Sequence, residues 1–197
     1  MNTGTRLLCA ALLWLAAGMA QAQANTNIRG TVTAFDGKTI GVSTRDGKAV
    51  QVALPEGVNV SGTEAFTLAD VKPGQVLGVT TVRRADGQLV AIDVRPIPPT
   101  ARLGLSPFDL APESTMTNAS VEAQVASTNG AELTLNHGGG TLKVLVPPGT
   151  PMSRAVPGKR EDIKPGETIF VAARPDADGK LVAVRVQVST NGVKPTQ

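Results

Sequence analysis

The pentapeptide Asp70-Val71-Lys72-Pro73-Gly74 returns 92 positions later as Asp162-Ile163-Lys164-Pro165-Gly166. The same offset carries Ala85-Asp86-Gly87-Gln88-Leu89-Val90-Ala91 onto Ala177-Asp178-Gly179-Lys180-Leu181-Val182-Ala183, and Leu54-Pro55-Glu56-Gly57 onto Val146-Pro147-Pro148-Gly149. Gly37 answers to Gly130 after a one-residue gap. Four turn motifs in register make the chain a duplication, so the fold of one unit predicts the fold of the other.

The first unit opens with Ile28, Gly30, Val32 and Ala34 alternating with Arg29, Thr31 and Thr33, the period of two that marks a half-buried strand. Asp36-Gly37 and Asp46-Gly47 are hairpin turns, because Asp-Gly tolerates the positive φ such turns require. They separate a strand containing Ile40 and Val42 from one containing Val50, Val52 and Leu54. After Pro55 the alternation stops, and Thr67-Leu68-Ala69-Asp70 reads as one helical turn capped by Thr67 and stopped by Pro73 and Gly74. Two more strands follow, Gln75 to Val82 and Leu89 to Arg95, the latter with Val90, Ile92 and Val94 inward and Asp93 and Arg95 toward water.

Three strands, a short helical insert and two strands is the order of a five-stranded Greek-key barrel of the OB type; an open sandwich and an SH3-like barrel share the count. The second unit repeats it, with Val121, Ala123 and Val125, then Leu133 and Leu135, then Leu142, Val144 and Val146, an insert near Arg160 to Ile163, and closing strands at Thr168 to Ala173 and Leu181 to Val188. The expected fold class is therefore all-β: two tandem small five-stranded OB-like β-barrels, each with a short helical insert. The boundaries are 1–24 for a signal peptide, 25–97 for barrel repeat 1, 98–119 for a Pro-rich linker, 120–189 for barrel repeat 2 and 190–197 for a disordered tail. Leu103, Leu105, Phe108 and Leu110 are too apolar for a solvated spacer, so the linker is expected to pack on the barrels.

Arg6 followed by the apolar run Leu7 to Met19, then Ala20-Gln21-Ala22 and Ala22-Gln23-Ala24, has the form of a cleaved signal peptide. The run is short for a membrane span, and the chain is expected to be exported. Without residues 1–24 the protein has no Cys and no Trp, and the charges are 18 Lys plus Arg (19 less Arg6) against 16 Asp plus Glu. No disulfide framework and no strongly basic footprint for nucleic acid follows from such a count.

The residues for catalysis are sparse. His137 is the single His and there is no Tyr; no Gly-x-Ser-x-Gly elbow supplies a nucleophile partner, and the glycines at 138–140 read as a β-turn. No catalytic residue, cofactor site or metal site is assigned. Asp109, Glu113, Glu161 and Asp162 offer oxygens for a hard cation, but their spacing fits no cation loop. Phe35, Phe66, Phe108 and Phe170 read as core or linker anchors and not as stacking platforms for nucleic acid. Asn59-Val60-Ser61 and Asn118-Ala119-Ser120 fit the glycosylation sequon, but the signal peptide fits a bacterial protein equally well, and there the motif means nothing.

Ser106-Pro107-Phe108-Asp109-Leu110 and Pro112-Glu113-Ser114-Thr115-Met116-Thr117-Asn118-Ala119, with the two repeat signatures, resemble a family of small exported proteobacterial proteins of unknown function with tandem OB-like repeats. Members often carry the label "metal ABC transporter permease", which clashes with a chain that has no spanning segment after residue 24. The resemblance implies a periplasmic location and the tandem layout. The expected function is that of a non-catalytic periplasmic binding or scaffolding protein without a cofactor, whose partner is an envelope protein or small ligand; the alternative is a metal-handling accessory. The candidate interaction surface is Phe108, Asp109, Leu110, Glu113 and Asn118.

Overall fold

The computed structural model describes residues 25–196, so the signal-peptide reading of residues 1–24 lies outside the described residues. The strands are β1 (Thr26–Phe35), β2 (Thr39–Thr44), β3 (Ala49–Ala53), β4 (Val60–Ala65), β5 (Val76–Arg83), β6 (Leu89–Pro96), β7 (Gly104–Pro107), β8 (Thr115–Ser127), β9 (Gly130–Asn136), β10 (Thr141–Val146), β11 (Ser153–Pro157), β12 (Thr168–Pro175) and β13 (Leu181–Val188). The protein is all-β with two closed five-stranded barrels.

Local chemistry accounts for the turns. Gly37 and Gly47 take φ of 89° and 80°, and the Asp36 carboxylate accepts from the Lys38 and Thr39 amides at 2.8 and 2.6 Å. The helical inserts are single 3-10 turns at Leu68–Asp70 and Arg160–Asp162. The repeated Asp closes each one, since Asp70 accepts from the Thr67 amide at 2.9 Å and Asp162 from the Lys159 amide at 2.7 Å.

In the first barrel β1, β2 and β3 form a meander; β3 then pairs parallel with β13 (Val52 opposite Leu181), β13 with β12, and β12 back with β1 from Thr26–Ala173 to Thr31–Thr168. In the second, β8, β9 and β10 form the meander, β10 pairs parallel with β6 (Val144 opposite Leu89), and β5 closes onto β8. Each order is 1-2-3-5-4 returning to 1, that of the OB type.

The barrels do not coincide with the repeats, which corrects the boundaries 25–97 and 120–189. Strands four and five are exchanged: the first barrel completes itself with β12 and β13 of the second repeat, and the second with β5 and β6 of the first. In chain order, the second barrel (the inserted barrel) is continuous from β5 to β10 and interrupts the first (the split barrel). The cause lies between strands three and four. There β4 and β11, which the sequence reading left unassigned, run across the molecule and pair antiparallel with each other. Thr63 stands opposite Ala155, its own copy 92 residues on, so a pseudo-twofold axis passes between them. A chain folding back on itself would leave both strands without this partner, and buried backbone groups require partners. The crossing is further fixed by buried hydroxyls, Thr63 Oγ1 donating to Val188 O at 2.7 Å and Ser61 Oγ to Val186 O at 3.1 Å. It is also tight: a Cβ on Gly158 would lie 2.7 Å from Gly62 N.

Both cores are consequently mixed. Ile40 and Val52 pack with Val171 and Val186 in one, and Leu77 and Val94 with Leu133 and Val144 in the other. Inside the second, the Thr117 hydroxyl is fully buried without a hydrogen-bond partner. Thr117→Val is therefore expected to stabilise the protein by about 1 kcal/mol, since it removes an unsatisfied group at equal volume; thermal unfolding reads the rise.

Three further expectations are corrected. β8 begins at Thr115 and not near Val121, so Thr115–Ala119 is strand and not linker, with β7 paired to it from within the linker. The tail after Thr190 is ordered: Thr190 and Val193 form a bridge, and Pro195 is buried. Asp93, placed toward water by alternation, is 0 % exposed, because the outer face of β6 is covered where the barrels meet.

Candidate binding cleft

The outer faces of β1, β6 and β12, the linker and the tail meet around Arg29. Its guanidinium pairs with both Asp109 oxygens at 2.8 and 3.1 Å and donates through Nε to Thr196 O at 3.3 Å. It lies 5.5 Å from the Phe108 ring and 5.4 Å from the Phe170 ring, whose other contact is the Arg185 guanidinium at 5.1 Å, within cation–π range. The hydrogen bond from Arg29 holds the Asp109 carboxyl below its ordinary pKa. Beside this cluster Asp93 accepts from the Thr196 hydroxyl and pairs with Arg95 at 3.4 Å. Burial pushes the Asp93 pKa up and brings that of Arg95 down to about 10. One side-chain network thus ties the split barrel, the inserted barrel, the linker and the tail.

The tail, held in this way, forms one wall of a cleft of about 680 Å³ over the paired stretch Gly30–Thr31 of β1 and Ser43–Thr44 of β2. The opposite walls carry Thr31, Ser43, Ser153 and Thr168, with Met152 and Val193 supplying apolar surface. The charged side chains on its wall are Arg45 and Lys194, and the described lining contains no carboxylate. Burial first, and the nearby Arg29 charge second, lower the Arg45 pKa, yet no carboxylate pairs with it among the ion pairs of the described residues. Such a cleft attracts anions, because two cations without counter-charges face hydroxyl donors.

The residues singled out from the sequence fall in three places. Phe108, Asp109 and Leu110 come together against Arg29 and Asn27, the Asn27 amide donating to Asp109 at 3.1 Å. Glu113 sits apart in a turn, at φ 57°, beside Arg83 and Pro112. Asn118 lies on β8 and donates to Arg102 O at 3.2 Å. Arg29, Arg45 and Lys194 were not read as site residues, since each is a single charge in an ordinary strand, turn or tail. Among the described residues no group of three or more His, Cys, Asp or Glu side chains converges as metal ligands do, and no helix is long and apolar enough to cross a membrane.

Comparison of the chain with protein-family models, curated proteins and solved structures finds no match.

Proposed function

We propose that the protein is a non-catalytic periplasmic binding protein whose cleft beside the tail takes a small anionic ligand, such as a carboxylate or phosphate compound. The observation that carries this reading is the pair Arg45 and Lys194, cations on the wall of a 680 Å³ cleft whose described lining holds no carboxylate. The hydroxyls of Thr31, Ser43, Ser153 and Thr168 supply neutral donors around the anion. The inter-barrel network serves this reading by fixing the tail as a wall.

The test is thermal unfolding of residues 25–197 against phosphate, succinate and a panel of divalent cations with a chelator control. An anion at 100 times its dissociation constant adds about 2.7 kcal/mol, a shift of several degrees for a protein of this size. The reading expects such a shift with an anion, lost in Arg45→Ala and Lys194→Ala. A shift from a divalent cation, reversed by chelator and insensitive to those substitutions, would instead support metal handling. An anion shift unchanged in both variants would refute the cleft.

A further inference from the structure

A second surface lies on the other side of Arg45 and shares that residue with the anion cleft. Along β1, strand β12 covers one edge from Thr26 to Thr31, while β2 covers the opposite edge only from Gly30 onward. The Arg45 amide donates to Arg29 O at 3.1 Å, so the backbone polar groups of Arg29 point away from β12. Those of Asn27, two residues earlier in the same strand, point the same way. No strand among the described residues pairs with Thr26–Arg29 on that edge, and a groove of about 400 Å³ runs beside it.

The inserted barrel shows what fits such an edge. Thr26 and Arg29 stand opposite Ala173 and Phe170 of β12, and Thr115 and Asn118 stand opposite Thr81 and Gly78 of β5, each 92 positions earlier. Thr26–Arg29 therefore corresponds to Thr115–Asn118. On that stretch of β8 the corresponding edge is filled by β7, antiparallel, with Ser106 opposite Met116 and Gly104 opposite Asn118. The molecule thus contains one filled and one open copy of the same docking edge.

Charge defines the occupant further. The groove is lined by Arg29, Arg45 and Lys48 against Asp46 and Asp109. Lys48 pairs with Asp46 at 2.7 Å and Arg29 with Asp109 at 2.8 Å, which leaves Arg45 as the excess charge. We propose that the Thr26–Arg29 edge of β1 is a docking site for an extended acidic peptide segment of another protein, which adds as an antiparallel strand in the way β7 adds to β8. Its main-chain hydrogen bonds go to the Asn27 amide and carbonyl and to the Arg29 amide, the Arg29 carbonyl being held already by Arg45, and its acidic side chains face Arg45.

Two capped, fluorescein-labelled peptides serve as probes: residues 103–108, which contain β7, and the same peptide extended by three Glu. Fluorescence anisotropy with residues 25–197 is expected to show binding of both, the acidic peptide about tenfold more tightly at low salt, with the difference abolished in 0.5 M salt and in Arg45→Ala. Hydrogen exchange is expected to show new protection confined to Thr26–Arg29. Asn27→Pro, which removes an outward amide that β12 does not use, should weaken binding about tenfold relative to Asn27→Ala. Protection of Thr26–Arg29 in the unmodified protein tests the proposal even if the Pro variant does not fold. No binding, protection elsewhere, or equal affinity of the Pro and Ala variants would overturn it. So would concentration-dependent dimerisation protecting this edge, which would assign it to a second copy of the chain. Phosphate and succinate failing in the cleft while the peptides bind would sink the anion reading alone.

Discussion

Asp93→Ala is expected to cost the folded protein about 3–5 kcal/mol, the usual range when one partner of a buried ion pair is removed. Arg95, 20 % exposed in its side chain, would keep its charge without its carboxylate, with the Arg29 and Arg185 charges also acting on it. The Thr196 hydroxyl would lose its acceptor, and the tail one of its anchors. The exposed pair Glu64–Arg154, 49 % exposed on both sides, is the comparison, and Glu64→Ala is expected to cost less than about 1 kcal/mol. Asp93 has a further signature. Burial raises its folded pKa, so the native state binds the Asp93 proton more tightly than the unfolded chain does. The stability linked to it is present below the unfolded value, about 4, and is lost as pH rises through the folded value. Asp93→Asn removes that slope. Urea unfolding across this pH range reads both effects; equal stability of Asp93→Ala and the unmodified protein would show that the inter-barrel network contributes nothing.

The second large effect concerns where the chain can be cut. Strands β5 to β10 are continuous in sequence, and Phe66 and Met152 complete their core from just outside. Residues 64–153 alone are expected to fold cooperatively as one barrel, modestly stable as befits a domain of that size. Cutting instead between the repeats, at Ala101, gives halves that each hold three strands of one barrel and two of the other. Neither half is expected to be folded alone, and mixing them should restore one folded particle containing one copy of each. Circular dichroism and analytical ultracentrifugation distinguish these outcomes. Halves that fold independently would mean that each repeat closes on its own strands.

Strand content and barrel order were legible because the period of two and the Asp-Gly turns are local signals, and because the Asp of Asp-x-Lys-Pro-Gly closes a turn with the residue three positions before it while Pro-Gly stops that turn. The exchange was not legible. Closing strands β5–β6 and β12–β13 are copies, so the edges of β1 and β3 are complementary to either pair, and no local pattern chooses between them. The choice is made by β4 and β11, whose buried Val60-Ser61-Gly62-Thr63 stretch shows no alternation because both its faces are covered. The same cause hid Asp93. Asp93 does lie on the outer face of β6, although a bulge there puts Ala91 and not Val90 or Ile92 into the core beside Val94, and the split barrel and the tail then bury that face. At the candidate surface, the apolar character of Phe108 and Leu110 marked the linker as packed, whereas Arg29 and Arg45 gained meaning only when folding brought them beside Asp109 and Lys48.

Residues 25–197 contain no Cys, which allows strand exchange to be tested by a single engineered disulfide. Thr31 and Thr168 face each other across β1 and β12. The Val32 backbone bonds to Glu167 and Gly166 on that side, which makes Thr31–Thr168 the close, non-hydrogen-bonded kind of pair that a disulfide can bridge. If each repeat closed on itself, the neighbour of Thr31 would be Val76, the copy of Thr168. Oxidation of the Thr31→Cys/Thr168→Cys variant should give an intramolecular cross-link, a faster-migrating band on a non-reducing gel, while Thr31→Cys/Val76→Cys should not. The reverse result would contradict the exchanged barrels.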